Sequence, residues 1–272
     1  MKTQVIGALA LAGSMAFNSA FANETVSVVG SSSVSPIMEV LGETYAQSRN
    51  VTVEVQGPGS SAGVRAAHDG SSDFGMSSRE LKESEKSNEI KEVVIARDGI
   101  AVVVHNNNPV TDLSKDEVSK IYKGEITNWK QVGGEDKPIV VATRDTASGT
   151  RGAFEDIMNL KKKINGISVS AISQRAQVAS GNGQLKTIVA NNPFSIGYIS
   201  LGSVDASVKA LSIDNHKPSV EAIKAGDYGV QRPFLVVYKE GRPSPAALDF
   251  LTWVKGPEGQ KIVADKGFIS VK

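Results

Sequence analysis

The amino-acid sequence predicts an α/β protein built on a mostly parallel sheet. Short apolar runs rich in β-branched residues alternate with segments whose apolar residues recur at helical spacing, which is typical of βαβ units. The chain has 272 residues, 40% of them hydrophobic, so it is long enough to form one or two domains with substantial cores. No fixed-period repeat or low-complexity linker divides it. We therefore expect its domains to be interleaved rather than consecutive.

The first 22 residues predict a cleaved export signal. Lys2 supplies positive charge, a short apolar run follows, and Ala20 to Ala22 fits a small-residue cleavage site. This run is too short for a convincing membrane span, so the mature protein should begin near Asn23. The absence of cysteine leaves no disulfide and no lipid-attachment site. We expect a bacterial periplasmic protein, with secretion outside the cell as the alternative.

The N-terminal part predicts strands that each run into a helix. Apolar residues at 37, 40, 41 and 45 have helical spacing, whereas 26–30 reads as a buried strand. The charged run at 82–92 is predicted to be a solvated surface. The predicted strands are 26–30, 51–56 and 73–77, and the predicted helices are 35–48 and 61–70.

Strand-like and helix-like segments continue to alternate in the remainder of the chain, with different sequences. Residues 100–105 have the strongest strand character, and 245–267 reads as one long helical segment. The predicted strands are 100–105, 138–144, 195–200 and 234–239, and the predicted helices are 114–124, 152–159, 181–191, 218–226 and 245–267.

Polar turns with similar chemistry follow several of these strands. Three of them, GSSSVSP (30–36), GPGSSAG (57–63) and RDTASGTRG (144–152), are rich in Gly, Ser or Thr and open a helix, and SSR (77–79) also ends a strand. Ligands of open α/β sheets bind beyond the carboxyl ends of strands, where helix N-termini present free N–H groups. Hydroxyls, amides and a guanidinium at one point would surround an oxyanion. The pattern therefore predicts an anion site rather than ordinary helix capping.

The charge and histidine content exclude other kinds of site. With 30 basic and 29 acidic residues, the chain lacks the basic excess expected of a nucleic-acid surface. Its three histidines are scattered without metal-ligand spacing. We expect no nucleic-acid partner, no metal and no cofactor.

A serine hydrolase is the enzymatic alternative. Residues 59–63 spell G-x-S-x-G, which would make Ser61 a nucleophile after a strand. His216 would have to be the base, with Asp205 or Asp214 as the acid. His216 lies in a predicted surface turn, which disfavours this alternative. We expect no catalytic residues.

Taken together, the motifs resemble those of the periplasmic phosphate-binding proteins of bacterial ABC-type uptake systems. The likeness covers essentially the whole mature chain. The motifs that carry it are, in order, GSSSVSP, GSSAG, DFGMSSRE, LSKDEVSKIYKGEITNWKQVGG, RDTASGTRGAFE and IGYISLG.

This resemblance implies a type II periplasmic binding protein fold, in which two α/β domains are joined by two hinge strands. Domain I would comprise 24–104 plus 236–272 and domain II 105–235, with crossing segments near 102–109 and 232–238. The implied function is capture of inorganic phosphate in the interdomain cleft and delivery to an inner-membrane ABC permease, without catalysis. A monomer is expected. A binding protein for another oxyanion, such as sulfate, molybdate or a phosphonate, is the alternative within this fold.

The resemblance also implies the ligand-binding residues. Ser78 stands where well-studied members carry an aspartate that accepts the proton of phosphate. Either Ser78 Oγ or a carboxylate such as Asp145 would then accept the hydrogen bond from that proton, and Arg79 would be either a ligand donor or an ion-pair partner. The implied phosphate-binding residues are Ser32, Ser33, Ser60, Ser61, Ser78, Arg79, Arg144, Ser148, Gly149 and Thr150.

Overall fold

The computed structural model describes residues 23–271, so the predicted export signal lies outside the described residues. The described chain is an α/β protein, as predicted. Its strands are β1 (Glu24–Gly30), β2 (Val51–Gln56), β3 (Phe74–Ser77), β4 (Ile90–Val104), β5 (Asp112–Leu113), β6 (Val140–Arg144), β7 (Lys161–Ile164), β8 (Ile167–Ser170), β9 (Gln177–Ala179), β10 (Ser195–Ser200), β11 (Lys209–Ala210), β12 (Ser212–Ile213) and β13 (Gln231–Lys239). Its α-helices are α1 (Ser35–Ala46), α2 (Ser60–Asp69), α3 (Lys115–Lys123), α4 (Gly149–Ile157), α5 (Asn182–Ala190), α6 (Val220–Ala225), α7 (Pro245–Lys255) and α8 (Pro257–Asp265).

The main sheet has the strand order β2-β1-β3-β13-β4-β10-β6-β9, and β11 adds to β4. The outer pairs β1–β2, β1–β3, β6–β10 and β6–β9 are parallel. The central pairs β3–β13, β4–β13 and β4–β10 are antiparallel. The prediction of a mostly parallel sheet is therefore wrong at its centre, where two strands run back across the molecule.

Strand β4 connects two separate hydrophobic cores. Its residues 90–99 pair with β13, and its residues 100–104 pair with β10. One core lies among β1, β3, β13, α1 and the C-terminal helices, and the other lies among β4, β10, α3 and α4. We call residues 23–99 and 231–271 the terminal half, and residues 100–230 the central half.

Local sequence signals explain several helix boundaries. Ser114 caps α3 in a reciprocal capping box with Glu117, and Ser148 caps α4 by accepting from the amide of Arg151. The single helix predicted over 245–267 is two helices, because Gly256 and Pro257 interrupt the backbone pattern between α7 and α8.

Two parts of the chain differ from the predictions. Strand β4 begins at Ile90, inside the charged run predicted to be a solvated surface; Ile90 is buried, whereas Lys91 is half-buried and Glu92 is exposed as predicted. The hairpin of β7 and β8 was not predicted, because its exposed residues lack a buried face.

Candidate anion-binding site

Four helix N-termini supply the residues of the candidate site. Helices α1 and α2 follow β1 and β2 in the terminal half, while α4 and α5 follow β6 and β9 in the central half. The first amides of a helix lack intrahelical partners, and the helix dipole makes that end partly positive. These helix starts follow the strand ends at which the sequence predicts an anion site.

The terminal half contributes a cluster of serine hydroxyls. Ser31 Oγ donates to Ser78 Oγ at 2.8 Å, and Ser60 Oγ lies 3.4 Å from the same Ser78 oxygen. The Ser78 amide donates to Ser60 Oγ at 3.1 Å. Ser33 is buried next to this cluster, and Ser32 is half-buried. Serine hydroxyls can rotate, so each can donate to a bound anion.

The central half contributes Arg144, which ends β6, together with the start of α4 and α5. Arg144 Nη1 donates to Asn182 Oδ1 at 3.0 Å, and Nη2 donates to the Ser180 carbonyl at 3.0 Å. Ser148 and Thr150 are buried at the start of α4. The Arg144 amide donates to the hydroxyl of Tyr198 at 3.2 Å, which fixes the end of the strand.

Side-chain hydrogen bonds join the two halves directly. Ser33 Oγ lies 2.9 Å from Thr150 Oγ1, and Asn182 Nδ2 donates to Ser33 Oγ at 3.0 Å. Arg144 Nη2 donates to Ser32 Oγ at 3.0 Å. The structure therefore brings these predicted residues together from turns that are far apart in sequence.

Gly149 allows this close approach. A Cβ atom at this position would lie 2.1 Å from Ser60 Oγ and 2.7 Å from Ser78 Oγ, both closer than van der Waals contact permits. The glycine thus lets the N-terminus of α4 contact the serine cluster of the opposite half.

The electrostatics of the site depend on Arg144. Its side chain is 1% exposed, and its Nε has no hydrogen-bond partner within residues 23–271. Burial lowers the pKa of this guanidinium, but an arginine keeps its charge in proteins. Three neighbouring arginines each have a carboxylate partner, whereas Arg144 has no ion pair in the described chain. Those pairs are Arg79 with Glu85, Arg151 with Glu155 and Arg232 with Asp98.

The Asp98–Arg232 pair lies beneath the site on the two crossing strands. Arg232 Nη2 donates to Asp98 Oδ2 at 2.9 Å, and both side chains are 1% exposed. Arg232 Nη1 also donates to the Ser78 carbonyl at 3.3 Å, and Ser200 Oγ donates to Asp98 at 2.8 Å. Burial raises the pKa of Asp98, and the adjacent guanidinium opposes that shift. The pair thus links β4 and β13 to Ser78 of the terminal half and Ser200 of the central half.

Two predicted residues have polar groups engaged in other contacts. Arg79 binds Glu85 with both terminal nitrogens, at 2.7 and 2.8 Å, and its Cδ packs against Gly152. Ser61 donates its amide to the Ala147 carbonyl at 3.1 Å, which is another link between the halves. Ser61 also lines a surface cavity with Arg65 and His68.

The residues of the alternative catalytic triad are not assembled. Ser61 lies on α2 in the terminal half, whereas His216 forms a bridge with Ile213 in the central half. No hydrogen bond joins the two within the described chain.

Residues 23–271 also contain no group of acidic and histidine side chains able to hold a metal ion. None of the described helices has the length and apolar content needed to cross a membrane.

The sequence reasoning missed Ser31 and Asn182. Ser31 accepts from the Ser33 amide at 3.2 Å and thereby shapes the first turn. Asn182 bridges Arg144 and Ser33 across the two halves. The signal for Asn182 was its place in a glycine-rich helix start, GNG, directly after a short strand.

Comparisons with known proteins place this architecture in one class. The PBP superfamily domain matches residues 16–258. Phosphate-binding protein PstS of Borreliella burgdorferi is 31% identical over 252 residues, which cover 91% of this chain and 90% of that protein. The chain therefore belongs to the PBP superfamily, in the family of the phosphate-binding proteins PstS.

Solved structures show the same fold at higher identity. A phosphate ABC transporter substrate-binding protein of Clostridium perfringens, solved with bound phosphate, is 42% identical with a TM-score of 0.86 and covers 92% of this chain and 100% of its own. An ABC-type phosphate transport receptor of Vibrio cholerae is 40% identical with a TM-score of 0.77, covering 90% and 99%. The predicted type II periplasmic binding protein fold is confirmed.

Proposed function

We propose that this protein captures inorganic phosphate between its two halves and delivers it to an ABC permease. The observation that carries the proposal is the buried Arg144 guanidinium, which has no acidic partner within residues 23–271. A buried charge without a counterion is costly to fold, so such a group points to an anionic ligand. The phosphate-binding relatives support the same ligand.

The surrounding donors suit a tetrahedral oxyanion. Hydroxyls of Ser32, Ser33, Ser60 and Thr150 surround the position in front of Arg144, and each can turn its hydrogen toward an anion. Charge-assisted hydrogen bonds contribute about 1.5–3 kcal/mol each. The summed free energy of a small number of such bonds exceeds the cost of desolvation and domain closure. The remainder still allows a binding free energy of about −8 kcal/mol, which corresponds to a micromolar Kd.

Binding in this proposal couples to closure of the two halves as domains. We propose two domains with the predicted boundaries, 24–104 plus 236–272 against 105–235, and the separation between the two cores supports a division of this kind. We place the crossing point near Asp98 on β4 and Arg232 on β13, because residues 100–104 already pack in the core of the central half. Closure would exclude water and create the surface that the permease recognises.

The remaining features of this proposal follow from binding without chemistry. The ligand leaves unchanged, and no residue acts as a nucleophile or as a general base. The protein works as a monomer in the periplasm or outside the cell, after removal of residues 1–22.

Ser78 Oγ is the proposed acceptor of the hydrogen bond from the proton that phosphate retains near neutral pH. It is fully buried, and its Oγ already accepts from Ser31. The other candidate, Asp145, turns one carboxylate oxygen to the Ala147 amide at 2.8 Å. A serine hydroxyl discriminates less strongly than a carboxylate against an anion that lacks a proton.

For this reason sulfate is the second candidate ligand. No carboxylate lies among the site residues brought together here, and Asp98 is held by Arg232 and Ser200.

Titration calorimetry with phosphate, arsenate and sulfate tests the proposal. We expect phosphate to bind, arsenate to compete because it has the same shape and a similar proton, and sulfate to bind much more weakly. Tight binding of sulfate with weak binding of phosphate would favour the second candidate. No heat with any oxyanion would contradict both.

A further inference from the structure

The hairpin of β7 and β8 is an apolar and basic projection outside the main sheet. Its two strands pair only with each other, and Ile164 and Ile167 flank the turn as directly opposite residues. Ile164 is 50% exposed and Ile167 is 67% exposed, which places them among the most exposed large apolar side chains of the described chain. Isolated exposed apolar residues are common, but two paired at the tip of a hairpin need an explanation.

The turn between them is tight and well defined. Asn165 has φ 50° and Gly166 has φ 80°, as an Asn-Gly hairpin turn of type I′ requires. The two isoleucines are therefore held together at the apex by the backbone.

Lysine residues lie next to the tip of the hairpin, on both of its faces. Alternation along β7 places Lys162 on the face of Ile164, whereas Lys161 and Lys163 lie on the opposite face. Lys161 pairs with Asp156, but Lys162 and Lys163 form no ion pair within residues 23–271. The sequence contains no acidic residue between Asp156 and Asp205, so the hairpin itself carries no carboxylate that could neutralise Lys162 and Lys163.

We propose that this hairpin, residues 161–170, is a docking element for a lipid bilayer surface that carries anionic headgroups. Two isoleucine side chains would enter the boundary between headgroups and acyl chains, and the lysines would lie at headgroup level. Lysines on both faces of the hairpin favour a bilayer, which surrounds an inserted tip on all sides. A folded protein partner would more often contact one face.

The position of the hairpin gives this docking a consequence for the cleft. Lys161 and Ser168 line a cavity of about 440 Å³ together with Ser148 and Arg151 at the start of α4. Attachment through the hairpin would thus hold the cleft region close to the membrane. This inference goes beyond the proposed function, and the docking itself requires no phosphate.

Vesicle co-sedimentation of the exported protein tests the proposal in phosphate-free buffer. We expect binding to phosphatidylcholine vesicles that contain phosphatidylglycerol, little binding to phosphatidylcholine alone, and release at high salt. The double variant Ile164→Ser/Ile167→Ser should lower the apparent affinity by about tenfold or more, because it removes the apolar insertion. Lys162→Gln/Lys163→Gln should lower it by about tenfold through lost electrostatic attraction.

Matched variants elsewhere control for general loss of apolar surface and charge. Val178→Ser/Leu248→Ser removes two other exposed apolar side chains, and Lys217→Gln/Lys255→Gln removes the same charge from other exposed positions. Both should bind vesicles within about twofold of the unchanged protein, since neither pair lies in the inserted or headgroup-contacting segment.

Several outcomes would overturn the proposal. These are equal binding to neutral and anionic vesicles, equal loss in the control variants, or hairpin variants that still bind like the unchanged protein. Self-association through the hairpin, seen by size-exclusion chromatography, would assign the isoleucines to a second copy. Loss of cellular phosphate uptake without any vesicle binding would assign them to a protein partner. Calorimetry with phosphate on the same variants separates these results from a failure of the proposed function.

Discussion

At Arg144 the fold removes a positive charge from water, and residues 23–271 supply no acidic partner for it. The neighbouring arginines, which do have carboxylate partners, show that this fold can provide such partners. Folding around an uncompensated charge costs free energy, and a bound anion offsets that cost.

The substitution Arg144→Met should therefore separate binding from stability. We expect phosphate affinity to fall by about a hundredfold or more, because at least two charge-assisted hydrogen bonds are lost. We expect the thermal midpoint in phosphate-free buffer to stay equal or rise, because the uncompensated charge is removed. Calorimetry and a thermal melt measure the two effects. Arg175→Met, at an exposed position of the central half, should change neither.

Ser78 is the residue at which ligand selectivity can be altered. The substitution Ser78→Asp should keep phosphate binding and raise the ratio of phosphate to sulfate affinity by about tenfold or more. A carboxylate accepts a hydrogen bond from the proton that phosphate retains, but it repels sulfate, which has no proton to donate. Competition titrations with both anions measure this ratio.

The variant Ser78→Asn controls for size in this fully buried position. It has the same shape as the aspartate variant without its charge, so the ratio should not rise. Undiminished sulfate binding by Ser78→Asp would contradict the assignment of Ser78.

Individual site residues differed in how well the sequence predicted them. Ser32, Ser33 and Arg144 lie in turns whose composition already predicts an anion site, and the structure brings them together. Asn182 was missed because an asparagine at a helix start is usually a simple cap. The ion pair of Arg79 with Glu85 joins the segment just after β3 to the short 3-10 helix Glu83–Glu85, and the sequence left that pairing open.

At the scale of elements, the N-terminus of α4 contacts the serine cluster through Gly149. The substitution Gly149→Ala places a methyl group 2.1 Å from Ser60 Oγ and 2.7 Å from Ser78 Oγ, so the two halves must separate or those hydroxyls must rotate away. We expect phosphate affinity to fall by about tenfold or more, since an overpacked contact costs about 1–3 kcal/mol.

Gly183→Ala is the matched control for that substitution. Gly183 lies in α5, and an added Cβ meets no atom within 4 Å. This variant should bind phosphate normally and should be slightly more stable, because alanine favours the helix. Equal affinity of the Gly149→Ala variant by calorimetry would show that the contact does not control binding.

The secondary structure was predictable wherever one face of an element is buried. The period of apolar residues correctly located the helices at α1 and α3. It failed at β7 and β8, where every residue is exposed or half-buried. It also failed at the start of β4, because charged residues occupy the exposed positions of a strand whose pairing partner, β13, is distant in sequence.

At the scale of the molecule, the buried Asp98–Arg232 pair joins β4 and β13 to one residue of each half. These residues are Ser78 in the terminal half and Ser200 in the central half. Removing one member leaves an uncompensated buried charge, so Asp98→Asn alone should destabilise the protein by about 3–5 kcal/mol. The double variant Asp98→Asn/Arg232→Met should recover much of that loss. Urea unfolding of the single and double variants measures the coupling.

Additive losses in that cycle would show that the pair does not act as a unit. Phosphate titrations of the double variant carry separate information, because Arg232 also binds the Ser78 carbonyl. A weaker phosphate affinity at recovered stability would assign the pair a role in positioning Ser78.

Strand β13 lies between β3 and β4, so its pairing determines when the sheet of the terminal half can be completed during folding. Residues 100–230 form a continuous stretch, so their core can assemble as soon as that stretch is available. The core of the terminal half lacks an interior strand until residues 231–239 pair with β3 and β4. Pairing between strands so distant in sequence is slow. We therefore expect pulse-labelling hydrogen exchange during refolding to protect β10 before β13.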